Sequence, residues 1–150
     1  MEAKINNRLV VAAARSLVGV KFAHLGRDVR SGIDCVGVIL LSFSSNGVEL
    51  KSPEVYAPNA HTDAITPAIS SFAAQVDPDD AAPADIAILH AGGKNKIPVH
   101  LGLLTDRGLI HAYRELGRVV EHSFSGAFKR RLHSIWRVPC VDFDPAFKVS

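Results

Sequence analysis

Cysteine is nearly absent: Cys35 and Cys140 are the only two in 150 residues, and they lie far apart. A disulfide scaffold needs more of them, and a structural zinc site needs closer pairs, so each cysteine stands alone. An excess of one charge is also missing. Seventeen Lys and Arg against fifteen Asp and Glu leave +2, scattered without a basic stripe, which argues against a nucleic-acid partner. No apolar run approaches the roughly eighteen residues a membrane span requires, so no membrane insertion is expected. The first residues, Met1 to Arg8, lack the apolar stretch of a secretory signal, and the expected location is the compartment of synthesis.

What is present is a foldable chain. Hydrophobic residues make up 47% and charged residues 21%, which excludes a mostly disordered polymer. The length fits one core, and no repeat, low-complexity stretch or linker divides it, so residues 1–150 read as a single domain.

The first half reads as helical. Ile5, Leu9, Ala12, Ala13 and Leu17 fall near helical spacing and predict a helix over Ala3 to Leu17, ended by Gly19. A loop from Val20 to Asp34 follows. Val36, Ile39, Leu40 and Phe43 then form one continuous face, with Asp34 placed to cap the start and Asn46-Gly47 to stop the helix. A third helix is predicted from about Pro67 to Val76. Beyond Asp77 the pattern changes to short apolar runs: Ile86–Leu89, Val99–Leu104, Leu109–Tyr113, Arg118–His122 and His133–Val138. Turn signals at Gly92-Gly93, Asp106-Arg107-Gly108 and Glu115-Leu116-Gly117 separate them. Helices followed by antiparallel strands define an α+β class with about five strands.

Two kinds of residue suggest chemistry. Cys35 falls in the first turn of the second helix, where unpaired N–H groups and the helix dipole favour a thiolate. The alternative is a buried small hydrophobe. His100 opens one strand and His111 lies in the next, joined by a turn at residues 106–108. On paired strands the two imidazoles stand close enough to share a hydrogen bond, one as base and the other as its orienting partner. His24 lies in the loop before Cys35 and is placed to line a cleft. His61 and His122 read as surface residues, and Cys140 as packing. No histidine or cysteine pair has metal-ligand spacing, so neither metal nor cofactor is expected.

These residues carry a resemblance. Ala14 to Phe22, then Gly32-Ile33-Asp34-Cys35-Val36-Gly37-Val38, resembles the cysteine segment of the NlpC-type cell-wall peptidases, which have a papain-like fold. Pro83-Ala84-Asp85-Ile86 resembles that family's Gly-Asp strand, and residues 99–104 with 108–112 its histidine hairpin. A narrower likeness, in His24, Gly26-Arg27, Gly117 to His122, Arg130-Arg131 and Ile135 to Pro139, is to the tail-associated wall peptidases of bacteriophages and gene transfer agents.

The resemblance implies Cys35 as nucleophile, His100 as general base and acid, and His111 as orienting third member. It places Phe22, His24, Asp34 and Val36 on the substrate-binding side. The implied substrate is an amide in peptidoglycan stem peptides. The implied partners are tail-hub and tail-tip proteins, and the implied location is the virion tail. Val55-Tyr56-Ala57-Pro58 is a candidate docking segment. Phe22 departs from the tyrosine common in the family, Ala84 from its glycine and Val36 from its serine. Losing an oxyanion donor lowers rates about a hundredfold or more, so a structural tail component with the peptidase fold and little activity is the alternative. An acyl-transfer enzyme acting on lipid or small amides is a third reading.

Overall fold

A computed structural model describes residues 4–51 and 62–150. The chain opens with a short strand, β1 (Ile5–Asn6), that pairs in parallel with β10 (Val141–Asp142) and ties the two ends of the described chain together. The helix α1 (Asn7–Ser16) therefore starts later than the sequence pattern predicts: Asn6 belongs to β1, and its side chain accepts the Arg8 N–H at 2.8 Å to cap the first turn. A small hairpin of β2 (Arg27–Asp28) and β3 (Gly32–Ile33) leads into α2 (Cys35–Ser44).

The third predicted helix is corrected. It is the six-residue α3 (Ile65–Ser70), followed by a strand, β4 (Ala74–Val76). Asp63 accepts the N–H groups of Ile65 and Thr66 and sets the earlier start. Residues 74–76 leave the helix because they pair with Arg137, Trp136 and Ile135 on β9 (Leu132–Arg137). That pairing adds a sixth strand to the expected five or so. The remaining elements are β5 (Ile86–Gly92), β6 (Asn95–Leu104), β7 (Leu109–Tyr113), β8 (Arg118–His122) and a short helix α4 (Gly126–Arg130). The antiparallel sheet runs β4-β9-β5-β6-β7-β8.

Strand alternation divides the sheet residues between two faces. Ile86, Ile88, Leu101, Leu103, Ile110 and Ala112 pack with Val10, Val36, Ile39 and Phe43 of the helices. Ala87, Leu89, Leu104, Leu109 and Ile135 form a smaller cluster covered by Phe124, Phe128 and Leu132. Arg15 anchors α1 to the strands, reaching Glu121 at 3.0 and 2.7 Å and Asp106 at 2.7 Å. Just before β5, Asp85 is fully buried and accepts from Arg137 Nε and Nη2, at 2.9 and 2.8 Å, and from the Ala82 N–H at 2.8 Å.

Candidate active site

Cys35 is the first residue of α2. Asp34 caps that helix by accepting the Gly37 N–H at 2.8 Å, as the sequence predicts, and also pairs with Arg27. Gly37 lets the preceding loop close over the first turn: a Cβ there would lie 2.7 Å from the Gly26 carbonyl. Seven of the ten residues of α2 are buried, Cys35 among them at 7% exposure. The helix lies against the face of β6 and β7 formed by Leu101, Leu103, Ile110 and Ala112, whereas strand alternation puts His100 and His111 on the other face, with Leu109 and Phe128.

On those strands the hydrogen bond expected between the histidines is present. His100 Nε2 and His111 Nδ1 are 2.5 Å apart. His111 is fully buried, stacks on Tyr113 and meets Phe128 edge-on. The arrangement then continues beyond the sequence reading. His111 Nε2 lies 2.7 Å from His122 Nε2, and His122 Nδ1 lies 2.8 Å from the Ser123 carbonyl. His122 is thus a partly buried member of a three-ring chain and not an isolated surface residue. A usable signal was its spacing: His100, His111 and His122 are eleven residues apart, and successive hairpins bring such positions to one face.

The direction of these bonds follows from the end of the chain. A carbonyl only accepts, so His122 Nδ1 carries a proton and donates to Ser123. With His122 Nε2 as the acceptor, His111 Nε2–H donates to it. His111 in turn accepts at Nδ1 from His100 Nε2–H, which leaves the His100 lone pair on Nδ1. Burial holds His111 neutral, lowering its pKa to about 2, with His100, His122 and Arg131 adding to the shift. His100 is lowered to about 4, again chiefly by burial and then by Arg131 and His122. Both rings are therefore neutral hydrogen-bonding groups near pH 7.

The other predicted positions differ in what they offer. Phe22 is partly buried against the helix-side core, bridged to Ile33, with its N–H on the Gly117 carbonyl at 2.8 Å. His24 is exposed in the turn before β2. The Val36 side chain is fully buried in the helix-side core. Asp34 is likewise buried, capping α2 and pairing with Arg27. His61 and the segment Val55 to Pro58 lie outside the described residues. Among the described residues no group of three or more His, Cys, Asp or Glu is arranged to hold a metal ion. No described helix is long and apolar enough to cross a membrane.

No family model matches the sequence, and no curated protein matches it. Solved structures do. An NlpC/P60 family protein from Bacillus cereus superposes with a TM-score of 0.67 at 16% identity, over 90% of this chain and 41% of the other. The peptidoglycan hydrolase RipB from Mycobacterium tuberculosis gives a TM-score of 0.59 at 21% identity, over 87% and 63%. RipD from the same organism, described as a non-catalytic NlpC/p60 domain protein adapted to peptidoglycan binding, gives 0.58 at 16%, over 87% and 94%. The chain spans about two fifths of the length of the larger proteins it matches. With helices packed on an antiparallel sheet in the same arrangement, the chain has the papain-like fold of the NlpC/P60 proteins.

Proposed function

We propose that this chain hydrolyses amide bonds in peptidoglycan stem peptides, with Cys35 as nucleophile, His100 as base and His111 as its orienting partner. The observation that carries the reading is the His100–His111 hydrogen bond between β6 and β7. His100 Nδ1 takes the thiol proton, and the thiolate attacks the amide carbon. The resulting oxyanion collapses to a thioester as His100 returns the proton to the leaving nitrogen; water, activated by the same imidazole, then releases the acid. The Cys35 N–H at the helix start is the proposed oxyanion donor. The likeness to RipB supports the substrate class.

The test is peptide release from purified sacculi by the parent and by Cys35→Ala. Release of new amino termini by the parent, lost in the variant, is expected; equal release by both refutes the mechanism.

The finer setting, in a phage or gene-transfer-agent tail beside hub and tip proteins, rests on the likeness of residues 117–122 and 130–139 to such peptidases. Detection of the chain in purified tails, and its absence from the soluble pool, tests that placement.

A second reading keeps the fold as a structural or wall-binding tail component with little hydrolysis. The 7% exposure of Cys35 and the likeness to the non-catalytic RipD favour it. Sacculus binding without peptide release, together with a Cys35 thiol inert to iodoacetamide at neutral pH, decides for this reading.

A further inference from the structure

The histidine chain has a third ring that a cysteine, base and orienter do not require. Two nitrogen-to-nitrogen contacts and one nitrogen-to-carbonyl contact, at 2.5, 2.7 and 2.8 Å, connect His100 to the Ser123 carbonyl without a gap. We infer that His122 is the proton terminal of this relay: a proton taken up at His100 Nδ1 is matched by transfer along the rings, so that the positive charge rests on His122.

The transfers balance. His100 gains a proton on Nδ1 and passes its Nε2 proton to His111 Nδ1. His111 passes its Nε2 proton to His122 Nε2. No atom is left over, His100 and His111 end as neutral rings of the opposite tautomer, and His122 becomes an imidazolium. Placement favours this end state. His111 is buried in a shell of Tyr113, Phe128 and its two neighbouring rings, where a charge is poorly solvated. His122 is partly exposed at the end of the edge strand β8 and already donates to a carbonyl, a contact that strengthens when the ring is charged. The depressed pKa values of His100 and His111 agree with it. Among the described residues, Arg131, just after α4, and Tyr113 lie near the relay. Arg131 is directed to the His90 carbonyl at 2.9 Å and adds positive charge near His100 and His111, which further disfavours a cation there.

As a route for the Cys35 proton, the relay rests on the hydrolase reading; as a coupled tautomer switch, it does not. The experiment keeps the two apart. Long-range ¹H–¹⁵N spectra of the histidine-labelled chain report the protonated nitrogen of each ring through a titration from pH 8 to pH 5. The expected result is that His122 gains the proton while His100 and His111 exchange tautomers, Nε2–H to Nδ1–H, with the same midpoint. Titration of His122 with no tautomer change in the other two overturns the inference.

Iodoacetamide alkylation of Cys35 is measured on the same protein, on His122→Gln and on His122→Leu. Gln keeps an acceptor for His111 but cannot hold the proton. Both variants are expected to alkylate at least tenfold more slowly at pH 7, with the rate midpoint moved to higher pH, and Gln is not expected to rescue the rate. Parental rates in folded His122→Gln refute the terminal role. A parent that exchanges tautomers as expected but never alkylates refutes the hydrolase reading and leaves the switch standing.

Discussion

Burying two imidazoles in the neutral form makes the fold sensitive to acid at an unusually high pH. An unfolded histidine takes up its proton near pH 6.5. The folded protein resists this until about pH 4 at His100 and about pH 2 at His111. Protons therefore bind the unfolded chain first. The stability held above pH 6.5 is lost as pH falls toward 4 for His100 and toward 2 for His111. Lowering the pH from 8 to 5 costs about 2 kcal/mol for each ring by the linkage relation, or about 4 kcal/mol together. Against a typical total of about 5–15 kcal/mol this is a large fraction. For a chain of this length it corresponds to a melting temperature roughly 8–16 °C lower.

The choice of pH isolates the effect. Asp106 and Glu121 are held below their usual range, and so lose their stabilising contribution only in stronger acid; the causes include hydrogen bonds from Arg15 to both and from Thr105 to Glu121. His90, also lowered by burial, acts in the same window, and Asp85, raised by burial, acts with the opposite sign. A comparison with His111→Gln cancels both. Urea unfolding followed by circular dichroism at pH 8, 6.5 and 5 is expected to show a steep fall for the parent and about half that fall for the variant. Equal falls in the two proteins, or none in the parent, refute the argument that these rings are buried uncharged.

Removing Arg137 leaves Asp85 buried without its bidentate partner, so Arg137→Leu is expected to cost about 3 kcal/mol at pH 7, the low end of the usual range because Arg137 itself is partly exposed. Burial already pushes the Asp85 carboxyl up, and losing Arg137 pushes it further, so the deficit in thermal melts narrows as acid protonates Asp85; a deficit constant with pH contradicts this. Ala84, where the family commonly has glycine, adopts φ of +82° and is 1% exposed. Relief of backbone strain and loss of a buried methyl are similar in size, so Ala84→Gly is expected to change stability by less than about 1 kcal/mol, whereas β-branched Ala84→Val loses about 2 kcal/mol or more in urea titrations.

Much of the fold is legible because it is local. Asp34 announces the start of α2 by its side chain, and the hairpins from β6 to β8 are marked by glycine turns between alternating runs. The failures are non-local. Ile65, Ile69, Phe72 and Val76 keep helical spacing, yet residues 74–76 become a strand because their partners, residues 135–137, arrive about sixty positions later. The five-residue α4 has too few turns to show a period. At the site, the His100–His111 contact is legible because one tight hairpin joins the two strands. His122 required following a second hairpin in the same register. Val36 heads the apolar face of α2 in the sequence pattern, and its side chain is fully buried there.

The energetic cost of the relay bears on whether this fold catalyses or only binds. A wall-binding module of the same architecture could fill the His100 and His111 positions with apolar side chains that pack against Leu109 and Phe128, and so avoid both the acid sensitivity and the demand for satisfied ring nitrogens. Here each ring facing another is oriented, the chain ends on a backbone carbonyl, and the remaining lone pair falls on His100, the sixth residue of β6, whereas the sequence pattern places it at the opening of the strand. Under the hydrolase proposal this arrangement trades stability in mild acid for a polarised base, the pattern expected where local structure departs from optimal packing for chemical reasons. Cys35 is the counterweight: it is only 7% exposed. The rate at which a small alkylating reagent reaches that sulfur, relative to the rate of peptide release, separates a site that is poised from one that is closed.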